Sequence, residues 1–73
     1  MVVQAETLGQ RIRRLRGETG MTLRAMAEKV DKQPSTLLEI EKDRSDPKLS
    51  TLRAIAGKLG QTPAELLEGV REP

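Results

Sequence analysis

Lys42, Arg44 and Lys48 lie within one stretch of seven residues, interleaved with Asp43, Ser45 and Asp46. Ammonium and guanidinium groups at that density, with a hydroxyl beside them, can hold oxyanions through charge-assisted hydrogen bonds. The two aspartates dilute the loop. Thr22 and Arg24 offer a second hydroxyl and a second cation further back in the chain. Between the two sets runs VDKQPSTLLEIEKDRSDP, residues 30–47, with the hydrogen-bonding side chains Gln33, Ser35, Thr36 and Glu39. The chain has neither histidine nor cysteine. That removes the usual zinc ligands, the usual general base near neutrality, and both Ser-His and Cys-His catalysis. The carboxylates have no metal cluster to work with and no Gly-rich phosphate loop is present, so an enzyme is the poorest reading and no cofactor is expected. Aromatic residues are absent as well, so base stacking, the usual grip on single-stranded nucleic acid, is unavailable. What these side chains offer is binding.

The rest of the sequence constrains what carries them. Seventy-three residues make one domain, and a core this small holds together only if its elements pack well. Thirteen basic residues against 11 acidic ones give a net charge of +2, too small to identify a polyanionic partner without the placement of the charges. No apolar run approaches the ~18 residues of a membrane span. The start, MVVQAETL, lacks the pattern of a signal peptide. The absence of cysteine fits a cytoplasmic location.

The apolar residues repeat with helical spacing throughout, which predicts an all-α domain of five helices. Leu8, Ile12 and Leu15 share one face of a first helix over residues 7–18, capped by Thr7, with Arg11, Arg13 and Arg14 forming a solvated face. Leu23, Met26, Ala27 and Val30 do the same after Thr22, and the small Ala27 lets another helix come close. The break DKQ is three residues long. Pro34 then suits the first position of a third helix, with Gln33 as a weak cap, and Leu37, Ile40 and part of Glu41 turn inward. Asp43 and RSDP end that helix. Leu49, Leu52, Ile55, Ala56 and Leu59 mark the inward side of a fourth helix. Thr62, Pro63 and Glu65 form a capping box for a fifth, which carries Leu66, Leu67 and Val70; at that spacing the three cannot all face the core. Residues 1–6 are read as a flexible N-terminus, 7–69 as the domain, with its helix-turn-helix at about 22–41, and 70–73 as a fraying tail.

Two helices joined by three residues, followed by a proline-containing loop, have the layout of a helix-turn-helix. Over residues 8–69 the chain resembles the lambda-repressor-like (XRE/Cro-type) helix-turn-helix domains. The matching segments are LGQRIRRLR, MTLRAMAEKV, PSTLLEIE, DPKLSTLRAIAGKLG and TPAELLEG, in that order and spacing. Thr22-Leu23 with Pro34-Ser35 is most similar to regulators in which such a domain precedes a ligand-sensing cupin domain.

The resemblance implies sequence-specific binding of double-stranded DNA in transcriptional regulation, as a repressor, by a homodimer on a palindromic site. It implies that Gln33, Pro34, Ser35, Thr36, Leu38 and Glu39 face the major groove as base readers. Thr22, Arg24, Lys42, Arg44, Ser45 and Lys48 then flank them as phosphate contacts. It implies an internal ion pair between Arg16 and Glu41, and pairing of two copies through the fifth helix and nearby residues, to which one of Leu66, Leu67 and Val70 contributes. None of the readers supplies the bidentate arginine–guanine contact, so discrimination by one copy should be modest. The chain departs from the family pattern in four places. Asp31 and Asp43 replace glycines where a left-handed backbone is needed, which Asp tolerates at a cost. Lys32 replaces an apolar residue, and Leu23 replaces a phosphate-bonding Gln. Leu38 beside Pro34 leaves a second reading open, a protein-interaction module on the same scaffold with weak or no DNA binding.

Overall fold

A computed structural model describes residues 5–72 of the chain. Five helices follow one another: α1 Leu8–Glu18, α2 Leu23–Lys29, α3 Pro34–Glu41, α4 Leu49–Lys58 and α5 Pro63–Leu67. No strand occurs among the described residues. Three threonines start helices. Thr7 and Gln10 form a reciprocal capping box on α1, at 3.2 Å and 3.0 Å. Thr62 and Glu65 repeat it on α5 at 3.1 Å and 2.8 Å, and the Thr22 hydroxyl accepts from the Ala25 N–H at 3.0 Å. Each cap satisfies backbone donors that a helix start leaves without a partner. Gln33 makes no such side-chain bond; Pro34 starts α3 instead by removing one orphan donor.

The first four helices all end the same way. A residue with positive φ turns the chain, and the next N–H donates back to the carbonyl five residues earlier: Met21 to Arg16, Lys32 to Ala27, Arg44 to Glu39 and Gln61 to Ala56, at 2.9–3.2 Å. Gly20 and Gly60 turn two of these ends; Asp31 (φ 57°) and Asp43 (φ 60°) turn the others. A left-handed aspartate is strained relative to glycine by about 1 kcal/mol, but at Asp43 the side chain offsets that. Its carboxylate accepts from the Thr7 hydroxyl at 2.5 Å and from the Gly9 N–H at 2.9 Å. The end of α3 thereby caps the start of α1.

The core is built from Ile12, Met26, Ala27, Val30, Leu37, Ile40, Leu52, Ile55, Ala56, Leu59 and Leu66. Gly9 permits a close backbone approach between α1 and the end of α3: a Cβ there would sit 2.5 Å from the carbonyl oxygens of both Ile40 and Glu41. Two turns further on, Arg16 grips Glu41 with both teeth, Nε to Oε2 at 2.8 Å and Nη2 to Oε1 at 3.0 Å, while Nη1 donates to the Met21 carbonyl at 3.0 Å. The Glu41 side chain is 3% exposed and that of Arg16 16%. The hydrogen-bonded carboxylate holds the Arg16 pKa above its ordinary value, against the opposing effect of burial.

Several expectations need correction. Leu49 does not face inward; it is 57% exposed. The buried stripe of α4 runs through Thr51, Leu52, Ile55 and Ala56 to Leu59, and Leu49 opens the helix at the edge of that stripe. Arg11 and Arg14 are not simply solvated. Arg11 donates to the carbonyls of Leu66 and Glu68 at the end of α5, and both arginines bind the Glu6 carboxylate; Arg14 also pairs with Glu18 at 2.8 Å. Only Arg13 of the three lacks such a partner among the described residues. Helix α5 stops at Leu67, and the segment after it is tied down: the Arg71 N–H donates to the Glu6 carbonyl at 2.9 Å and its Nε to the Ala5 carbonyl at 3.0 Å. Of the expected flexible N-terminus, residues 1–4 lie outside the described residues, while Ala5 and Glu6 make these contacts.

Gly9→Ala is expected to destabilise the fold by about 1–3 kcal/mol in urea unfolding, since carbonyl groups rather than a mobile side chain must yield. Gly57→Ala, inside α4 with nothing within 4 Å of the new methyl, should stabilise by roughly 0.5–1 kcal/mol. Glu41→Ala strands the Arg16 charge, with a loss on the order of 3–5 kcal/mol; the apolar pair Arg16→Met/Glu41→Leu should retain more stability than that single change. Hydrogen bonds from Arg14, and then Arg11, hold the Glu6 pKa below its usual 4.5 although burial opposes them. The stability they add is present above the unfolded pKa and fades as pH falls through the lower folded one. Thermal unfolding across pH 2–6, about that range, should therefore show a shallower acid loss for Glu6→Gln than for the parent.

Candidate nucleic-acid interface

The outer edge of α3 follows from which of its residues the core takes. Leu37, Ile40 and Glu41 go inward, so Ser35, Thr36 and Leu38 turn outward, with Gln33 exposed at the turn and Pro34 and Glu39 half-buried. The exposed edge thus presents an amide, two hydroxyls, a carboxylate and a leucine that is 38% exposed. As hydrogen-bonding equipment this is one amide with both donor and acceptor, two hydroxyls that do either, and one acceptor-only group.

Three shallow recesses ring this edge and tie the flanking cations to it. In the first, Arg24 shares a lining with Gln33, Pro34 and Thr36. The second joins Lys42 to Leu38, with Arg13 and Leu23 on its other wall and the Arg16–Glu41 pair behind. Ser45 and Lys48 meet Thr36 and Lys32 in the third. Arg44 extends alongside Glu39, Nη1 to Oε2 at 3.6 Å, with its side chain 64% exposed. The backbone closure after α3 makes this possible, because it folds residues 42–44 back against the last turn of the helix. Thr22 stands exposed at the start of α2. Its oxygen accepts the Ala25 N–H, which leaves the hydroxyl proton available to donate elsewhere.

All six residues expected to read and all six expected to anchor therefore have surface, and five of the anchors adjoin a reader. The ion pair sits beneath them and joins α1 to α3. Sequence reasoning missed Arg13, assigned to a solvated face yet on the wall of the same recess as Leu38 and Lys42. No signal in the sequence marks it, since that recess brings together three helices. Reasoning from the sequence also missed the Asp43 contacts with Thr7 and Gly9, which span more than 30 residues. Lys32, where the family pattern has an apolar residue, is exposed. What this surface can do chemically is hold oxyanions at its margins and exchange a few hydrogen bonds at its centre. Among the described residues no group of three or more acidic, His or Cys side chains is disposed to hold a metal, and no helix is long and apolar enough to cross a membrane.

Known proteins share both the sequence and the shape. The immunity repressor protein of Bacillus phage phi105 is 50% identical over 46 residues, which cover 63% of this chain and 32% of that protein. The clp gene regulator ClgR from Corynebacterium glutamicum superposes with a TM-score of 0.80 at 34% identity, over 85% of this chain and 66% of that one. The biofilm master regulator SinR, solved in complex with DNA, gives 0.79 at 32% identity over 85% of this chain and all of that one; a SinR DNA-binding domain from Bacillus subtilis gives 0.79. The P22 c2 repressor bound to a synthetic operator gives 0.83 at 25% identity, over 89% and 98% of the two chains. This chain thus spans about a third of the phage repressor and about two thirds of the ClgR chain. A family model described as a helix-turn-helix domain matches residues 9–72, and the chain belongs to that family.

Proposed function

We propose that this domain binds double-stranded DNA in a sequence-dependent way and regulates transcription as a repressor, with α3 in the major groove. The observation that carries the reading is the ring of Arg24, Lys42, Arg44, Ser45 and Lys48 around the exposed edge of α3. A groove roughly 12 Å wide admits one helix, and phosphates then lie along both its margins, where these four cations and the Ser45 hydroxyl would meet them. Thr22 adds a hydroxyl at the start of α2. Relatives solved on DNA or on an operator support the same reading.

The two sets of residues divide the work. Contacts to phosphate position the protein and supply most of the affinity, while contacts to base edges choose the sequence. Ser35 and Thr36 can bond acceptors on guanine or thymine, Gln33 can bond adenine, Glu39 can accept from cytosine, and Leu38 can press on a thymine methyl. Pro34 shapes the entry of the helix. So sparse a set needs a second copy to reach useful selectivity, and a homodimer on a palindrome about one helical turn apart supplies it. Leu67, 44% exposed on α5, and half-buried Val70 are available for that pairing. The site acts without cofactor or catalysis and works in the cytoplasm. The Thr22-Leu23 and Pro34-Ser35 pattern further suggests regulators in which a cupin domain follows. As a protein-docking face the surface is weaker: Leu38 is its one exposed large apolar side chain, amid charge.

Selection of bound duplexes from a random pool at two salt concentrations should enrich a palindrome. Lys42→Ala should weaken binding to all sequences and lower the log–log salt slope by about one, and Arg44→Ala should do the same on the selected duplex. Ser35→Ala should instead change which sequence wins. Unchanged affinity after both cation replacements would remove α3 from the groove.

A further inference from the structure

One oxygen of Glu39, Oε2, is shut away from water and makes no hydrogen bond, although the side chain as a whole is 46% exposed. The guanidinium of Arg44 stands 3.6 Å away, beyond hydrogen-bond reach. This placement is not a chance meeting of two long side chains. The Arg44 N–H donates to the Glu39 carbonyl at 2.9 Å, and the preceding Asp43 is pinned to α1 through Thr7 and Gly9. Arg44 therefore starts from the Glu39 edge of α3 whatever its rotamer. An acceptor that has lost water without gaining a donor is poised to take one.

We propose that Glu39 determines specificity by penalising wrong sequences, with Arg44 as its counter-charge. The inference rests on the duplex-binding reading above. Where the duplex offers no amino group at that position, the Glu39 carboxylate keeps Arg44 beside it and draws it away from the phosphates. Where a cytosine presents its N4 amino group, that donor satisfies Oε2 and Arg44 is released to a phosphate. One acceptor thus has two alternative donors, and the base decides which it takes. Discrimination arises here without the strong arginine–guanine contact that the edge lacks.

The test compares the parent, Glu39→Gln, Arg44→Ala and the double variant on the selected duplex and on an unrelated duplex of equal length, over a salt series. Glu39→Gln removes the charge and keeps the shape. It is expected to raise affinity for the unrelated duplex several-fold and to steepen its log–log salt slope by about one. It should also weaken a cytosine preference at one position of each half-site, since only the neutral amide oxygen is left to accept. With Arg44→Ala already present, the same change should leave the slope where it was. Equal weakening on both duplexes, or the same slope change with and without Arg44, would overturn the proposal while leaving duplex binding intact. A parent that binds no duplex even at low salt would instead overturn the reading beneath it, and this inference with it. Thermal unfolding of each variant shows that the differences do not come from loss of fold.

Discussion

The junction between α1 and the far end of α3 sets the geometry of everything else. Three contacts hold it, each of a different kind. Gly9 lets the two backbones meet where any side chain would collide with the Ile40 and Glu41 carbonyls. Asp43 closes the start of α1 with two hydrogen bonds. Arg16 and Glu41 lock the other end of the contact with a two-toothed pair that is nearly sealed from solvent. Burying two charges is expensive, and their attraction offsets that only with good geometry and a partner for the remaining donors. Here the third arm of Arg16 finds the Met21 carbonyl. The pair acts less as a source of stability than as a fixed joint, because α3 has only eight residues and too small an apolar face to fix its own orientation.

Beside the joint, residues near both termini form a second, more exposed network. Glu6 gathers Arg11 and Arg14, Arg11 reaches on to the final carbonyls of α5, and Arg71 returns to Ala5 and Glu6. Helix α5, five residues long, is too short to hold itself. Leu66 anchors it in the core and Arg11 satisfies its last carbonyls. The N-terminal half of α1 thus holds both the α3 terminus, through Gly9, and the end of α5, through Arg11.

Much of this was legible in the residues, and what was not shares a cause. The three threonine caps, the proline at the start of α3 and the inward leucines follow from local rules, because cap and partner lie within one turn. Five helices and their order could be read from apolar spacing alone. Leu49 was misread because spacing gives a stripe but not its edges, and Thr51 was passed over because a hydroxyl carries no apolar signal. Arg11, Gly9 and Asp43 take their roles from residues 30 or more positions away, and no local pattern encodes those. The Arg16–Glu41 pairing came from family resemblance, not from spacing. The edge of α3 was legible by subtraction, since the core claims Leu37, Ile40 and Glu41 and leaves the others; the attachment of Arg44 to Glu39 was not.

The Gly9 contact has no adjustable part. Leucines in a core can trade volume with their neighbours, and surface charges can drift, but a Cα resting on two carbonyl oxygens behaves as a spacer of set length. Substitution that preserves this fold is therefore channelled outward: the strut must keep its length, while side chains on the outer edge of α3 can change without disturbing it.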